Sequence, residues 1–201
     1  MPRTEAPAEV RPATVSDLAS IAELEQRTFG AETYPAFFFR QAIDLWGPHF
    51  LVVCLAGSVV GYALGSPSAR QASGWILSAT VESGHRGLGL GRKLVGRLID
   101  SFGRRGYETV WLTVSPDNSQ ALSLYQRLGF KLVDRDARYF GPDQPRLKLA
   151  ARVRDTVNPG VEPVRRQASG DLSPRSGHNT HPHVSALQRA PHSSYRHEVR
   201  R

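Results

Sequence analysis

Cysteine is almost absent from this 201-residue chain: Cys54 stands alone, which excludes an internal disulfide and a cysteine cage for a metal. Cys54 lies in the apolar run Phe50-Leu51-Val52-Val53-Cys54-Leu55-Ala56 and reads as a buried structural thiol. Long hydrophobic runs are missing as well. None approaches the length that spans a bilayer, and Met1-Pro2-Arg3-Thr4-Glu5-Ala6-Pro7 lacks the apolar centre of a signal peptide. A cytoplasmic protein with no membrane partner is expected. Acidic residues are the scarcer charge, 18 against 26 basic ones, for a net charge of +8. That excess is uneven: residues 1–151 hold 17 Lys plus Arg and 14 Asp plus Glu, whereas residues 152–201 hold 9 and 4. Nucleic acid is therefore expected at most as a weak partner of the tail, through Arg165-Arg166 and Arg200-Arg201, with Tyr195 as the lone aromatic for stacking. His178, His181 and His183 could gather a metal, but a short histidine-rich stretch needs no ligand, and no metal is expected.

What is present is core material, 40% hydrophobic, arranged with clear periods. Val10 to Ala13 reads as a strand, and Thr14-Val15-Ser16-Asp17 as a capping-box start for a helix carrying Leu18, Ile21, Ala22 and Leu24 to Phe29. A second helix fits Phe37 to Leu45. Leu51 to Ala56 and Val59 to Leu64 flank Gly57-Ser58 as a hairpin, and Trp75 to Val81 is a further strand. Leu94, Val95, Leu98, Ile99 and Phe102 recur at helical spacing up to Gly106. A strand follows at Thr109 to Val114, then a helix opened by Pro116-Asp117-Asn118 and closed by Gly129. Lys131 to Val133 and Arg146 to Val153 complete the set. Residues 1–8 are expected to be a flexible N-terminus and residues 9–153 one domain. Residues 154–201, rich in Pro, Ser, Arg and His, are expected to be a disordered tail.

Between the fourth strand and the long helix lies Val81-Glu82-Ser83-Gly84-His85-Arg86-Gly87-Leu88-Gly89-Leu90-Gly91-Arg92. Alternate glycines let backbone N–H groups approach an anion, and the helix start adds its positive dipole end, so a pyrophosphate ligand is expected. A Walker loop fails, because Gly91 is followed by Arg92-Lys93-Leu94 and no hydroxyl is there to hold magnesium. A dinucleotide fingerprint is weak, since Leu94 stands where the third glycine should be. The pattern Arg/Gln-x-x-Gly-x-Gly/Ala is met by Arg86, Gly89 and Gly91.

Together with Ser115-Pro116-Asp117-Asn118-Ser119-Gln120-Ala121-Leu122-Ser123-Leu124-Tyr125-Gln126-Arg127-Leu128-Gly129-Phe130, this loop resembles the GNAT superfamily of acetyl-CoA-dependent N-acetyltransferases. The likeness is greatest to the branch that acetylates protein N-termini, including ribosomal-protein alanine acetyltransferases. The resemblance implies an α/β acyl-CoA N-acyltransferase fold: a mixed, mainly antiparallel sheet, splayed at one point, with helices on both faces. It implies acetyl-CoA as donor, held by Ala79, Thr80 and Val81 along its pantetheine arm. Arg86, Gly87, Leu88, Gly89, Leu90, Gly91 and Arg92 would hold its pyrophosphate, with Asn118 near the thioester. Tyr125 would be the acid that protonates the departing thiolate, and Tyr34 and Tyr139 would flank the acceptor groove.

Each residue also has a plain structural reading. Tyr125 shares a helix face with Leu122 and Leu128, and Asn118 suffices as an N-cap. The resemblance also places the usual general base at Thr113, and threonine takes no proton at neutral pH. An α-amine, with a pKa of about 7.7–8, is roughly a tenth neutral at pH 7, whereas lysine near 10.4 is neutral to only about 0.04%. The expected acceptor is therefore a peptide or protein N-terminus. A small amine such as a polyamine, amino acid or antibiotic is the alternative acceptor. A non-catalytic acetyl-CoA-binding module with a nucleic-acid-docking tail is the alternative outside the enzyme class.

Overall fold

A computed structural model describes residues 7–30, 33–70 and 72–153; residues 1–6 and the tail from 154, with its histidines and arginine pairs, lie outside the described residues. The elements are β1 (Glu9–Pro12), α1 (Leu18–Phe29), α2 (Ala36–Trp46), β2 (Phe50–Leu55), β3 (Ser58–Pro67), β4 (Ser73–Val81), α3 (Leu90–Arg104), β5 (Thr109–Val114), α4 (Ser119–Arg127), β6 (Lys131–Asp136) and β7 (Arg146–Arg152). They form one seven-stranded sheet in the order β1-β2-β3-β4-β5-β7-β6, antiparallel at every junction except the parallel β4–β5 pair. This is the mixed, mainly antiparallel arrangement expected from the sequence.

Helices cover both faces. On one, the α3 stripe Leu94, Val95, Leu98, Ile99 and Phe102 packs with Val110, Leu112 and Val114 of β5 and with Tyr125, Leu128 and Phe130. On the other, Ile21 and Leu24 of α1 and Phe39 and Ala42 of α2 pack on Phe50, Val52, Tyr62 and Leu64. Ahead of β1, Ala8 packs against the α3 core, and its carbonyl accepts a hydrogen bond from the Lys93 ammonium. At the start of α1, the Asp17 carboxylate accepts from the Thr14 N–H at 2.8 Å and pairs with both Arg11 nitrogens at 2.7 and 2.8 Å.

One turn differs from the sequence reading. Leu55 faces Ser58 across the β2–β3 hairpin, and the two central residues are Ala56 (φ 47°) and Gly57 (φ 80°). A two-residue turn of this hand needs positive φ at both positions. Gly57 therefore occupies the second position, and Ser58 begins β3 rather than closing the turn.

The site is created by a failure of pairing. β4 runs beside β3 from Gly74 to Val81 but beside β5 only from Ser73 to Ile76. From Leu77 onward the two strands diverge, while β5 continues against β7 to Val114. The ladder alternation says which peptide groups are left over. The Glu82 N–H donates to the Val60 carbonyl at 2.8 Å, so in this register Thr80 and Ser78 turn their peptide groups toward β3. The ladder shifts register at Leu77, so the alternation holds beyond it, where the peptide groups of Ala79 and Val81 point into the split.

Candidate active site

The split is thus lined on one lip by unpaired strand edge, the surface an extended amide-bearing ligand can join as an extra strand. Of the three β4 residues expected to hold such an arm, Ala79 and Val81 present their peptide groups to it. Thr80 does not: its backbone belongs to the β3 ladder, and its hydroxyl points to Thr28 of α1 at 3.5 Å. The Val81 carbonyl accepts from the Arg86 Nε at 3.1 Å, which folds the glycine loop back over the end of β4.

Gly87 (φ 82°) and Gly89 (φ 74°) sit in the left-handed region, which glycine enters without cost. Gly89 caps α3, and the first bond of the helix runs from the Lys93 N–H to the Gly89 carbonyl at 3.0 Å. The N–H groups of Leu90, Gly91 and Arg92 precede that bond and have no acceptor within the helix. No acidic residue stands in this first turn, and Arg86 and Arg92 are exposed beside it. A Cβ on Gly91 would lie 3.5 Å from Leu124 Cδ2 and 3.9 Å from Val81 Cγ2, so β4, α3 and α4 converge there. The residues present fit a pyrophosphate at the helix start and a pantetheine chain along the split.

In α4, Asn118 acts as N-cap, its Oδ1 accepting from the Ala121 N–H at 3.0 Å; among the described residues nothing binds its amide nitrogen. Gly129 (φ 83°) ends the helix, with the Phe130 N–H donating to the Tyr125 carbonyl at 3.0 Å. This closure sets the Phe130 ring edge-on to Tyr125 at 5.6 Å. Burial pushes the Tyr125 phenol up to about 12, so it is protonated at any working pH. No described residue hydrogen-bonds its hydroxyl.

The opposite face of the sheet carries Thr113 and the residues expected to flank an acceptor. Val110, Leu112 and Val114 face α3, so Thr113 faces the other way. Ser78, which meets Tyr62, stands on that same face across the split. Tyr34, after α1, stacks on Phe38 at 4.5 Å; burial, Glu25 and Tyr139 all raise its pKa. Tyr139 of the β6–β7 loop, far away in sequence, is thus within electrostatic reach of Tyr34. Glu82, the acidic residue nearest the glycine loop, is paired with Arg27 at 3.1 Å and lies 3.1 Å from His85 Nδ1. Glu25 was not singled out from the sequence, although it follows Ile21 by four positions on the buried stripe of α1. It is 1% exposed and accepts from the Tyr62 hydroxyl and, at 3.2 Å, from the Tyr34 N–H. Among the described residues no cluster of His, Cys, Asp or Glu could hold a metal, and no helix is long and apolar enough to cross a membrane.

An unpaired strand edge, a helix start stripped of acidic residues and a buried phenol beyond them suit an acyl-group transferase. The chain belongs to the Acetyltransferase (GNAT) family, whose profile matches residues 18–130. It is similar to the N-alpha-acetyltransferase RimI of Mycobacterium tuberculosis, at 32% identity over 139 residues, covering 67% of this chain and 85% of that protein. It is also similar to phosphinothricin N-acetyltransferase of Streptomyces viridochromogenes, at 31% identity over 136 residues, covering 62% and 74%. Among solved structures, yncA of Salmonella typhimurium with its cofactor acetyl-CoA shares 25% identity, a TM-score of 0.61 and coverage of 73% and 94%. The protein is an N-acetyltransferase that uses acetyl-CoA as donor and an amine as acceptor.

Proposed function

We propose that the acceptor is the α-amine of a peptide or protein N-terminus. The observation that carries this is Thr113, set on the acceptor lip of the split where the family's usual base would stand and unable to take a proton. An acceptor that is already partly neutral at pH 7 needs the least help, and an α-amine meets that condition where lysine does not. Tyr34 and Tyr139 support it, since two aromatic loop residues within electrostatic reach of each other can grip an extended backbone. The similarity to an N-alpha-acetyltransferase points the same way. A cytoplasmic location fits such a substrate, because acetyl-CoA and newly made chains meet there.

The thioester supplies the acetyl group; the chain's own residues place it. Ala79 and Val81 hold the donor's amides, with Thr80 behind them in the β3 ladder. Gly87, Leu88 and Gly89 and the N–H groups of Leu90, Gly91 and Arg92 receive the pyrophosphate, with Arg86 and Arg92 as counter-charges. Asn118 offers its free amide nitrogen. Tyr125 donates a hydrogen bond to the sulfur as negative charge develops on it.

The small-amine alternative has one observation of its own, the similarity to phosphinothricin N-acetyltransferase. Full-length protein, acetyl-CoA and competing acceptors decide between them. At pH 7 a peptide with a free α-amine should react on the order of 10²-fold faster than an N-blocked peptide carrying one lysine, the ratio of their neutral fractions. Faster turnover of the lysine peptide, or of spermidine or phosphinothricin, sinks the proposal.

A further inference from the structure

The buried carboxylate of α1 belongs to a chain of hydrogen bonds that ends at the split. Tyr62 of β3 is fully buried and donates its proton to Glu25 Oε2. Its oxygen also meets Ser78 Oγ at 2.7 Å. Because the phenolic proton is committed to the carboxylate, Ser78 must be the donor in that second bond. The polarity of the chain is thereby fixed, and Ser78 keeps an oxygen lone pair free at its open end. Ser78 is half-buried and lies in the stretch of β4 that β5 has left, across the split from Thr113.

We propose that Ser78, Tyr62 and Glu25 form the proton exit for the acceptor amine, taking the place of the base missing at Thr113. The bound ammonium gives an N–H proton to Ser78 Oγ as the Ser78 proton passes to Tyr62 Oη and the Tyr62 proton to Glu25 Oε2. One proton leaves nitrogen, one arrives on the carboxylate, and the freed lone pair can attack the thioester carbonyl. After product leaves, the chain runs backward and returns the proton to solvent through Ser78.

The environment of Glu25 suits this use. Among the described residues, the ionisable groups facing it are Tyr62 from β3 and Tyr34 from the segment after α1, with Tyr139 beyond Tyr34. No cation among them stabilises its charge, and burial raises its pKa against the two hydrogen bonds that lower it. A raised carboxylate lies closer to an α-amine near 7.7–8 than an ordinary one near 4.3, so the transfer is less uphill. Ser78 would be catalytic in the strict sense, whereas Tyr62 and Glu25 act through it.

This inference rests on an amine acceptor entering beside Ser78, as proposed above, and its test separates the two. Initial rates of full-length wild type, Ser78→Ala, Tyr62→Phe and Glu25→Gln are measured from pH 6 to 9.5, with a peptide α-amine and with a small primary amine. In each variant kcat should fall about 10²-fold at pH 7. For the peptide the loss should shrink below roughly tenfold at pH 9.5, where solvent has already deprotonated an α-amine of pKa about 7.7–8, whereas for a small alkylamine near 10.4 it should only begin to shrink there; KM for acetyl-CoA should not change. Ser78→Ala is decisive where the buried substitutions lower stability, because it removes only the half-exposed end. Turnover of the small amine alone overturns the peptide acceptor and leaves the relay to its pH profile. Losses that are equal at every pH, or absent in Ser78→Ala, overturn the relay.

Discussion

Tyr125 shows how far one residue's chemistry can be read and where environment intervenes. Its place on α4 was legible from spacing, but the effect of burial on its hydroxyl was not. At about 12 the phenol lies some three to four units above a thiol near 8.5, so full proton transfer to a free thiolate costs about 5 kcal/mol. In the proposed mechanism Tyr125 therefore serves as a hydrogen-bond donor to the developing sulfur charge, with the proton following late or coming from water. Tyr125→Phe should lower kcat by about 10²-fold while leaving KM for acetyl-CoA within about twofold. A normal kcat in steady-state assays would reduce Tyr125 to a packing partner of Phe130. Glu25 is the contrasting case. Its position on the α1 stripe was readable, but its partners lie 37 residues away at Tyr62 and nine residues away at Tyr34, and a pairing across the sheet leaves no trace in local sequence.

Among the elements, α3 was the most legible, because five apolar residues at helical spacing specify both the helix and its buried face. What the spacing did not reveal is the surface beneath Phe102. A Cβ on Gly74 would lie 2.5 Å from Phe102 Cδ1, and one on Gly65 would lie 2.7 Å from its Cζ, so the ring occupies the space two glycines leave open. Gly74→Ala should destabilise by about 1–3 kcal/mol, the range for overpacking. Phe102→Leu should restore part of that loss in a double-mutant cycle read by urea unfolding. On the other side of the ring, His49 stacks at 4.2 Å. Its Nδ1 donates to Ser101 Oγ at 2.8 Å, and Ser101 in turn donates to the Leu98 carbonyl. Burial, with Arg105 and Arg104 nearby, lowers its pKa from 6.5 to about 4. As pH falls through 6.5 the unfolded chain takes a proton that the folded protein refuses until about 4, so this contribution is present above pH 6.5 and lost below it. Between pH 7 and 4.5 the loss should approach about 2 kcal/mol, and it should be smaller by that amount in His49→Phe, which keeps the ring stack. Equal pH dependence in both proteins would show that His49 ionises normally.

In the whole molecule the sheet is two half-sheets joined by a short parallel seam, Ser73–Ile76 against Thr109–Leu112. The order of strands was readable only in part, since hairpins announce themselves through turn residues while a parallel seam between β4 and β5 depends on the crossover by α3. A ligand laid along the free edge of β4 extends that seam, so donor binding should change the protein where pairing is incomplete. Amide hydrogen exchange can resolve this residue by residue. Without donor, the N–H groups of Ser78 and Thr80 are protected by β3, whereas those of Ala79 and Val81 face the split and should exchange faster. Saturating acetyl-CoA should slow Ala79 and Val81, and also Leu90, Gly91 and Arg92 at the start of α3, leaving Ser78 and Thr80 unchanged. The same binding should raise unfolding stability by about 2.7 kcal/mol at a hundredfold excess over Kd. Protection confined to Leu90–Arg92 would mean that the helix start binds the phosphates while the arm lies elsewhere, and the split would lose its role. Protection in the alternating pattern, at Ala79 and Val81 and not at Ser78 and Thr80, is a signature that neither general stiffening nor binding at the loop alone can produce.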